Sequence, residues 1–264
     1  MSDVLGICEE WTDDDLVVRT EDGALRRVPH DLVVTGKPVP PRSSVLLRVP
    51  AARLHRAGLV MWTGLETEPL GDWLLRSAPH EAARRANSTL AFGDPDLPAE
   101  EAHAAVVAFH TARGGVPVVA VEVGSAAHAG VEAAGWVRHR DGEDDTLVQV
   151  ASIAMLRRGL PPEPEPSEVV EDGPRVALAV PGARGRAASD GDWLGLYGIE
   201  TDPDHRRRGL ALQVVSGLLA RGAERGARSA YLQVHATNTP ALALYERLGF
   251  VTHHAYRYLV PPTP

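Results

Sequence analysis

The chain has 264 residues, with 44% hydrophobic and 23% charged residues, a formal net charge of -8 at pH 7 and a sequence pI near 5.8. Those proportions describe a globular chain long enough for two compact units. The acidic balance excludes a broad nucleic-acid surface, which needs a basic field, and the single cysteine, Cys8, excludes an intramolecular disulfide framework and an all-cysteine zinc site.

The opening MSDVLGICEEWTDDD is acidic and has neither the basic nor the apolar segment of a signal peptide. No apolar run reaches the ~20 residues that a membrane span requires. A cytoplasmic protein without a membrane partner is expected. Stretches 5–8, 15–20, 24–29 and 31–34 read as short strands, with Glu21-Asp22-Gly23 as a hairpin turn and Pro38-Val39-Pro40-Pro41 as a linker. Residues 1–50 are thus expected to form a small all-β module, SH3-like in size and pattern.

Alternating helices and strands follow from about residue 57. Ala102, Ala105, Val106 and Phe109 recur at helical spacing within 98–113, and Gly114-Gly115 ends that helix. Residues 116–123 are a continuous apolar run typical of a buried strand, and an alanine-rich helix at 126–134 closes at Gly135-Trp136. The stretch 159–174, GLPPEPEPSEVVEDGP, reads as a linker. Strands are expected at 175–180 and 192–201, with a Gly/Arg-rich turn between them.

The C-terminal part repeats the earlier order. A helix at 209–224 carries Leu210, Ala211, Val214, Val215, Leu218 and Leu219 on one broad face and ends at Gly226. A strand covers 229–234, and Thr239-Pro240 starts a helix that runs to about Leu248 and closes at Gly249-Phe250. Helix, strand, short helix and Gly-aromatic occur twice, which predicts an internal duplication: a half at 51–158, a linker at 159–174 and a second half at 175–264.

The stretch DHRRRGLALQ, 204–213, carries the chemistry. A helix start presents unpaired N–H groups and the positive end of a dipole. Gly209 allows close approach of a phosphate, Ala211 avoids a clash, and Arg206, Arg207 and Arg208 add positive potential. This is neither a P-loop nor a dinucleotide fingerprint. His205 and the pair His253-His254 lack a second ligand set at metal spacing, so surface positions and no metal are expected.

Arg206-Arg207-Arg208-Gly209-Leu210-Ala211 matches the pattern Gln/Arg-x-x-Gly-x-Gly/Ala, and over 192–260 the chain resembles the GNAT superfamily of N-acetyltransferases. YGIETDPDHRRRGLA is similar to that family's strand, turn and loop, and LQVHATNTPALALYERLGF to its closing strand and helix. The resemblance implies an α/β (α+β) GNAT fold with a mixed central sheet, here as two tandem halves, the first degenerate. It implies acetyl-CoA as cosubstrate and an amine as acceptor. The backbone of Ile199 and Thr201 would pair with the pantetheine arm. Amides at 207–212 would bind the pyrophosphate, Asn238 would contact the CoA arm and Tyr245 would protonate the departing thiolate. The local alternatives are an aromatic packed with Leu242 and Leu248 for Tyr245, and a helix-entry turn for Asn238. Glu200 and Asp192, on the strand beside the acetyl position, are the candidate bases, with solvated strand carboxylates or water as the alternative.

The first half has AFGDPDLPAEEAH in place of the arginine loop, with Val131 opposite Tyr245 and Gly124 opposite Asn238. The three-part layout resembles an actinobacterial GNAT subgroup. The family's two acceptor-shaping helices are missing between Leu160 and Arg175, so the acceptor side is truncated, or rebuilt from the first half or from a second copy in a homodimer. A non-catalytic acyl-CoA-binding regulatory protein is the competing expectation.

Overall fold

The computed structural model describes residues 4, 6–20, 23–35, 45–139 and 145–262. The expected linker Pro38-Val39-Pro40-Pro41 and residues 5, 21 and 22 lie outside the described residues. The chain divides into two compact units, Met1–Ser43 and Ser44–Pro264.

In the first unit, β1 (Gly6–Trp11), β2 (Asp15–Thr20) and β3 (Leu25–Pro29) form an antiparallel sheet with β2 central. Leu16, Val17 and Val18 of β2 supply its buried residues. Residues 31–34 do not form the expected strand. A 3-10 turn, His30–Leu32, closes with Val33 N–H on the His30 carbonyl at 3.0 Å, and this local bond replaces a ladder.

The second unit begins with α1 (Ala51–Ala57) and a 3-10 turn, Gly58–Met61. There follow β4 (Glu66–Leu70), β5 (Trp73–Ser77), β6 (Thr89–Ala91), α2 (Ala99–Ala112), β7 (Val119–Glu122), α3 (Ala126–Ala133), β8 (Val137–Arg138), β9 (Thr146–Ser152) and α4 (Ile153–Leu156). The remainder is β10 (Glu168–Asp172), β11 (Arg175–Val180), β12 (Ala183–Asp190), β13 (Trp193–Thr201), α5 (Leu210–Glu224), β14 (Ser229–His235), α6 (Thr239–Leu248) and β15 (Val251–Val260).

Two expectations change here. The Gly/Arg-rich stretch expected as a turn is strand β12, because β11 and β13 pair with it on both sides. The stretch expected as a linker contains β10, which pairs along its whole length with β11.

All these strands join one twelve-stranded mixed sheet in the order β10-β11-β12-β13-β14-β9-β15-β7-β6-β5-β4, with β8 on β15. Strand–helix–strand–helix occurs as β6-α2-β7-α3 and again as β13-α5-β14-α6, and in both the two strands are parallel neighbours. The long strand that follows each repeat crosses into the other. β9 pairs with β14, β15 pairs with β7, and β9 and β15 lie antiparallel at the centre. A single sheet therefore cannot be cut into halves without breaking ladders.

Residues alternate between the faces as strand geometry requires. On one face α5 and α6 cover Leu178, Leu194, Leu196, Leu232 and Val234, while α2 and α3 cover Trp73, Val119, Val121 and Leu259. The other face buries Leu74, Leu90, Trp193, Tyr231, Tyr256 and Tyr258 with Leu54, Ala57 and Met61 of α1 and its following turn. Among the described residues no helix is long and apolar enough to cross a membrane.

Candidate acyl-CoA site

Strands β13 and β14 pair in parallel only from Trp193–Leu196 against Ser229–Leu232, yet β13 continues to Thr201 and β14 to His235. A register shift on β13, opposite Gly185 of β12, lies where the two strands part. Gly198 sits in it at φ +59, a conformation that a side chain disfavours. Past the shift, Asp202 N–H bonds the Gly182 carbonyl at 2.9 Å, so alternation along the strand turns the peptide group of Thr201 toward β14. Ile199 and Thr201 thus border an open gap with an unpaired strand edge.

The chain leaves β13 through Asp202 and a 3-10 turn, Pro203–His205, in which His205 N–H bonds the Asp202 carbonyl at 2.9 Å. Arg206, Arg207, Arg208 and Gly209 are exposed. Arg207 is held at φ 61, and Gly209 is the N-cap of α5 at φ 77, ψ 4. A Cβ on Gly209 would meet nothing within 4 Å, so glycine is required there by conformation and not by crowding. Leu212 N–H turns back to the Gly209 carbonyl at 3.0 Å, which leaves Leu210 and Ala211 in a first turn whose amides have no intrahelical acceptor. Among the described residues no carboxylate pairs with the three arginines. Bare amides, a helix dipole and unneutralised guanidinium groups are together the chemistry that an anion site requires.

Asn238 is the N-cap of α6, its side-chain oxygen accepting from Ala241 N–H at 3.3 Å. The oxygen does the work of a cap, and the exposed side-chain NH2 remains a donor. Tyr245 is buried on α6 at 9% exposure, in a cluster with Val214, Leu218, Leu232 and Val234, and its ring meets Phe250 edge-on at 5.6 Å. Burial pushes its phenol above the ordinary value, so the group keeps its proton through neutral pH.

Glu200 lies on the face opposite α5 and is bound to Arg184 at 2.6 Å, both side chains being exposed. Asp192 is not part of this site. It precedes β13 at the far end, where its carbonyl accepts from Arg228 and Ser229 N–H. The histidine pair also differs from expectation. His254 is buried at 8% exposure and bonds His55 through the two Nε2 atoms at 3.0 Å, while its Nδ1 meets Nδ1 of His253 at 2.7 Å. Alternation on β15 directs His254 inward with Tyr256 and Tyr258, and burial depresses its pKa to about 3. Among the described residues no group of three ligating side chains could hold a metal.

Open space on the face opposite α5 includes a groove of about 120 Å³ bounded by Glu168, Ala177, Arg184, Arg186 and Gly198. Above Trp193 and Tyr197 the same face is covered by chain that precedes β4: the Tyr197 hydroxyl donates to the Met61 carbonyl at 3.3 Å. In the earlier repeat a cavity of about 400 Å³ lies between the starts of α2 and α3, lined by Trp73, Asp94, Leu97, His103, Ser125 and Val131. The α3 cap is Ser125, accepting from His128 N–H at 3.1 Å, so Ser125 and not Gly124 stands opposite Asn238. Val131 does stand opposite Tyr245, since Trp136 N–H bonds Val131 as Phe250 N–H bonds Tyr245.

Residues 166–259 match the family described as "Probable histone acetyltransferase Rv0428c C-terminal". The chain is 32% identical over 224 residues to "Probable histone acetyltransferase Rv0428c" of Mycobacterium tuberculosis, covering 78% of this chain and 72% of that protein. Among solved structures, a GCN5-related N-acetyltransferase from Kribbella flavida superposes with a TM-score of 0.59 at 17% identity, over 81% of this chain and 96% of that one. A tandem GNAT protein from the clavulanic acid biosynthesis pathway gives 0.51 at 12% identity, over 73% and 80%.

Proposed function

We propose, for a chain that belongs to the GNAT superfamily of N-acetyltransferases, that residues 175–264 bind acetyl-CoA and pass its acetyl group to a primary amine by direct attack in a ternary complex. The observation that carries this is the left-handed Gly209 cap of α5, set beside unpaired arginines at the mouth of the β13–β14 gap. Amides at 207–212 and the guanidinium groups of Arg206, Arg207 and Arg208 receive the pyrophosphate. The backbone of Ile199 and Thr201 pairs with the amides of the pantetheine arm, and the Asn238 NH2 contacts the same arm.

The amine nitrogen attacks the thioester carbon, the carbonyl oxygen is stabilised by backbone N–H groups, and the C–S bond then breaks. Tyr245, protonated because it is buried, gives its proton to the leaving thiolate. Glu200, on the acceptor face, takes the amine's proton directly or through a water. We assign 1–50 to a small β module, 51–158 to a degenerate half without a CoA loop, and 159–174 to a connection between halves that also carries the edge strand β10. One observation favours a second reading, an acyl-CoA-binding regulatory protein: Glu200 is already committed to Arg184.

Calorimetric titration with acetyl-CoA, followed by thiol release with a panel of amines, separates the two. Wild type is expected to bind and turn over, and Tyr245→Phe to lose about 100-fold in kcat with unchanged acetyl-CoA affinity. Binding without thiol release from any amine would establish the regulatory reading, and no binding at all would end both.

A further inference from the structure

On the sheet face opposite α5, among the described residues, a buried arginine and a half-buried one stand without a counter-charge. Arg76 on β5 is 4% exposed; it donates Nε to the Ser88 carbonyl at 2.8 Å and an Nη to Ser88 Oγ at 3.0 Å. Arg85 is half-buried and, among the described residues, donates only its Nε, to the Tyr256 hydroxyl at 3.3 Å. Among the described residues neither guanidinium has a carboxylate partner, and the Nη edge of Arg85 has no acceptor. The neighbours add nothing negative. His55 and His254 are depressed by burial and stay neutral, and the phenol of Tyr258 is held protonated by burial. A planar guanidinium edge is the group best matched to a carboxylate.

The place of Arg85 ties it to the acetyl-transfer site. Gln233 is the first residue of β14 beyond its last pair with β13, and it shares a face with Tyr231. The Tyr256 hydroxyl donates to Gln233 Oε1 at 2.7 Å, which leaves its oxygen to accept from Arg85 Nε and from the Tyr258 hydroxyl at 3.2 Å. Two hydrogen bonds therefore lead from the mouth of the gap to Arg85. Tyr256 fixes the guanidinium plane, and the Nη edge stays free.

We propose that the acceptor is an amine that also carries a carboxylate, and that the Nη edge of Arg85 receives this carboxylate while the amine lies at the β13–β14 gap. The proposal rests on the acetyl-transfer reading above and narrows its substrate class. Arg85 comes from the earlier half, so that half would supply the acceptor recognition missing from the later one.

The test uses the full-length protein and ω-amino acids of increasing chain length, each against its own amide and its phosphonate. Thiol release should favour the acid of one length over its amide by about 100-fold in kcat/KM. Arg85→Gln should bring that ratio close to one, and Arg85→Lys should keep part of it. Equal or better turnover of the amides or phosphonates by wild type would overturn the proposal, as would a ratio that Arg85→Gln does not alter. If Arg85→Gln fails to fold, the wild-type ratio and Arg85→Lys decide. Thermal shift with the acids alone, read without acetyl-CoA, keeps the two readings apart. Acid-specific stabilisation in wild type with no acetyl-CoA binding would sink acetyl transfer and spare the Arg85 site, and neither effect would sink both.

Discussion

The loops that enter α2 and α5 begin alike and end differently. Each follows a strand with Asp-Pro-Asp, Asp94-Pro95-Asp96 and Asp202-Pro203-Asp204, and each holds one non-glycine residue in the left-handed region, Asp96 at φ 56 and Arg207 at φ 61. Two residues separate Asp96 from the start of α2 at Ala99, and five separate Asp204 from Leu210, a difference of three. At the helix start the earlier loop has Pro98, which has no N–H, followed by Glu100 and Glu101 in the first turn. The later loop has Gly209 and no acid in the first turn. The dipole of α2 is thus answered by its own carboxylates, while that of α5 has no acid in its first turn to answer it. Equal topology does not carry equal chemistry; three added residues and a change of cap separate the two.

The largest expected effect tests whether this division of labour extends to titration. The earlier repeat with α1 buries His55, His103, His110 and His128, and β15 adds His254, whereas residues 166–250 contain no buried histidine among those described. Burial depresses His110 to about 4 and His254 to about 3, and His55 well below its ordinary value. The unfolded chain takes up protons near pH 6.5 that these groups refuse when folded. Their stabilisation is complete above about pH 6.5 and is lost as the pH falls toward those folded values. At pH 5 His110 and His254 each cost about 2 kcal/mol and His55 acts in the same direction, so the melting temperature should fall steeply between pH 7 and 5. Because β9 and β15 are exchanged, the whole sheet should melt in one transition. Two separate transitions, with only one sensitive to acid, would show the repeats to be energetically independent.

Much of this arrangement was legible in the sequence, and the exceptions have physical causes. Helix α6 and strand β11 fall at the expected residues because capping chemistry and apolar periodicity are local signals. Strand β12, with its glycine, alanines and arginines, has no such signal, and its pairing with two neighbours decides its conformation. The exchange of β9 and β15 is non-local and leaves no trace in spacing. The loop and Gly209 are readable as a motif, while the bond from Arg85 to Tyr256 and the burial of His254 come only from packing. The repeated Asp-Pro-Asp was an available signal for aligning the two loops.

A smaller effect bears directly on the helix starts. Gly209→Glu forces a side chain into a left-handed position and sets a carboxylate against the pyrophosphate, so acetyl-CoA affinity should drop by about 100-fold or more. Pro98→Glu, at the matching cap of α2, should leave that affinity unchanged. Calorimetry on both variants checks the pair. A loss with Pro98→Glu, or two acetyl-CoA molecules bound per wild-type chain, would break the distinction between the loops.

The smallest effect separates a cap from a ligand contact. Asn238 and Ser125 perform the same local task, each accepting from the backbone N–H three residues on, Ala241 at 3.3 Å and His128 at 3.1 Å. Replacing either by alanine should cost about 1 kcal/mol of stability, because one orphan donor at the helix start is left to water. Only Asn238, three residues past the end of β14, has a side-chain NH2 in addition, whereas the Ser125 hydroxyl spends its single proton on the Glu122 carbonyl at 2.8 Å. Asn238→Ala should therefore weaken acetyl-CoA as well as lower the melting temperature, and Ser125→Ala should lower the melting temperature alone. If the two variants lose stability equally and neither alters acetyl-CoA affinity, Asn238 is a cap and nothing more. The ligand contacts then reduce to the backbone of β13 and the arginine loop.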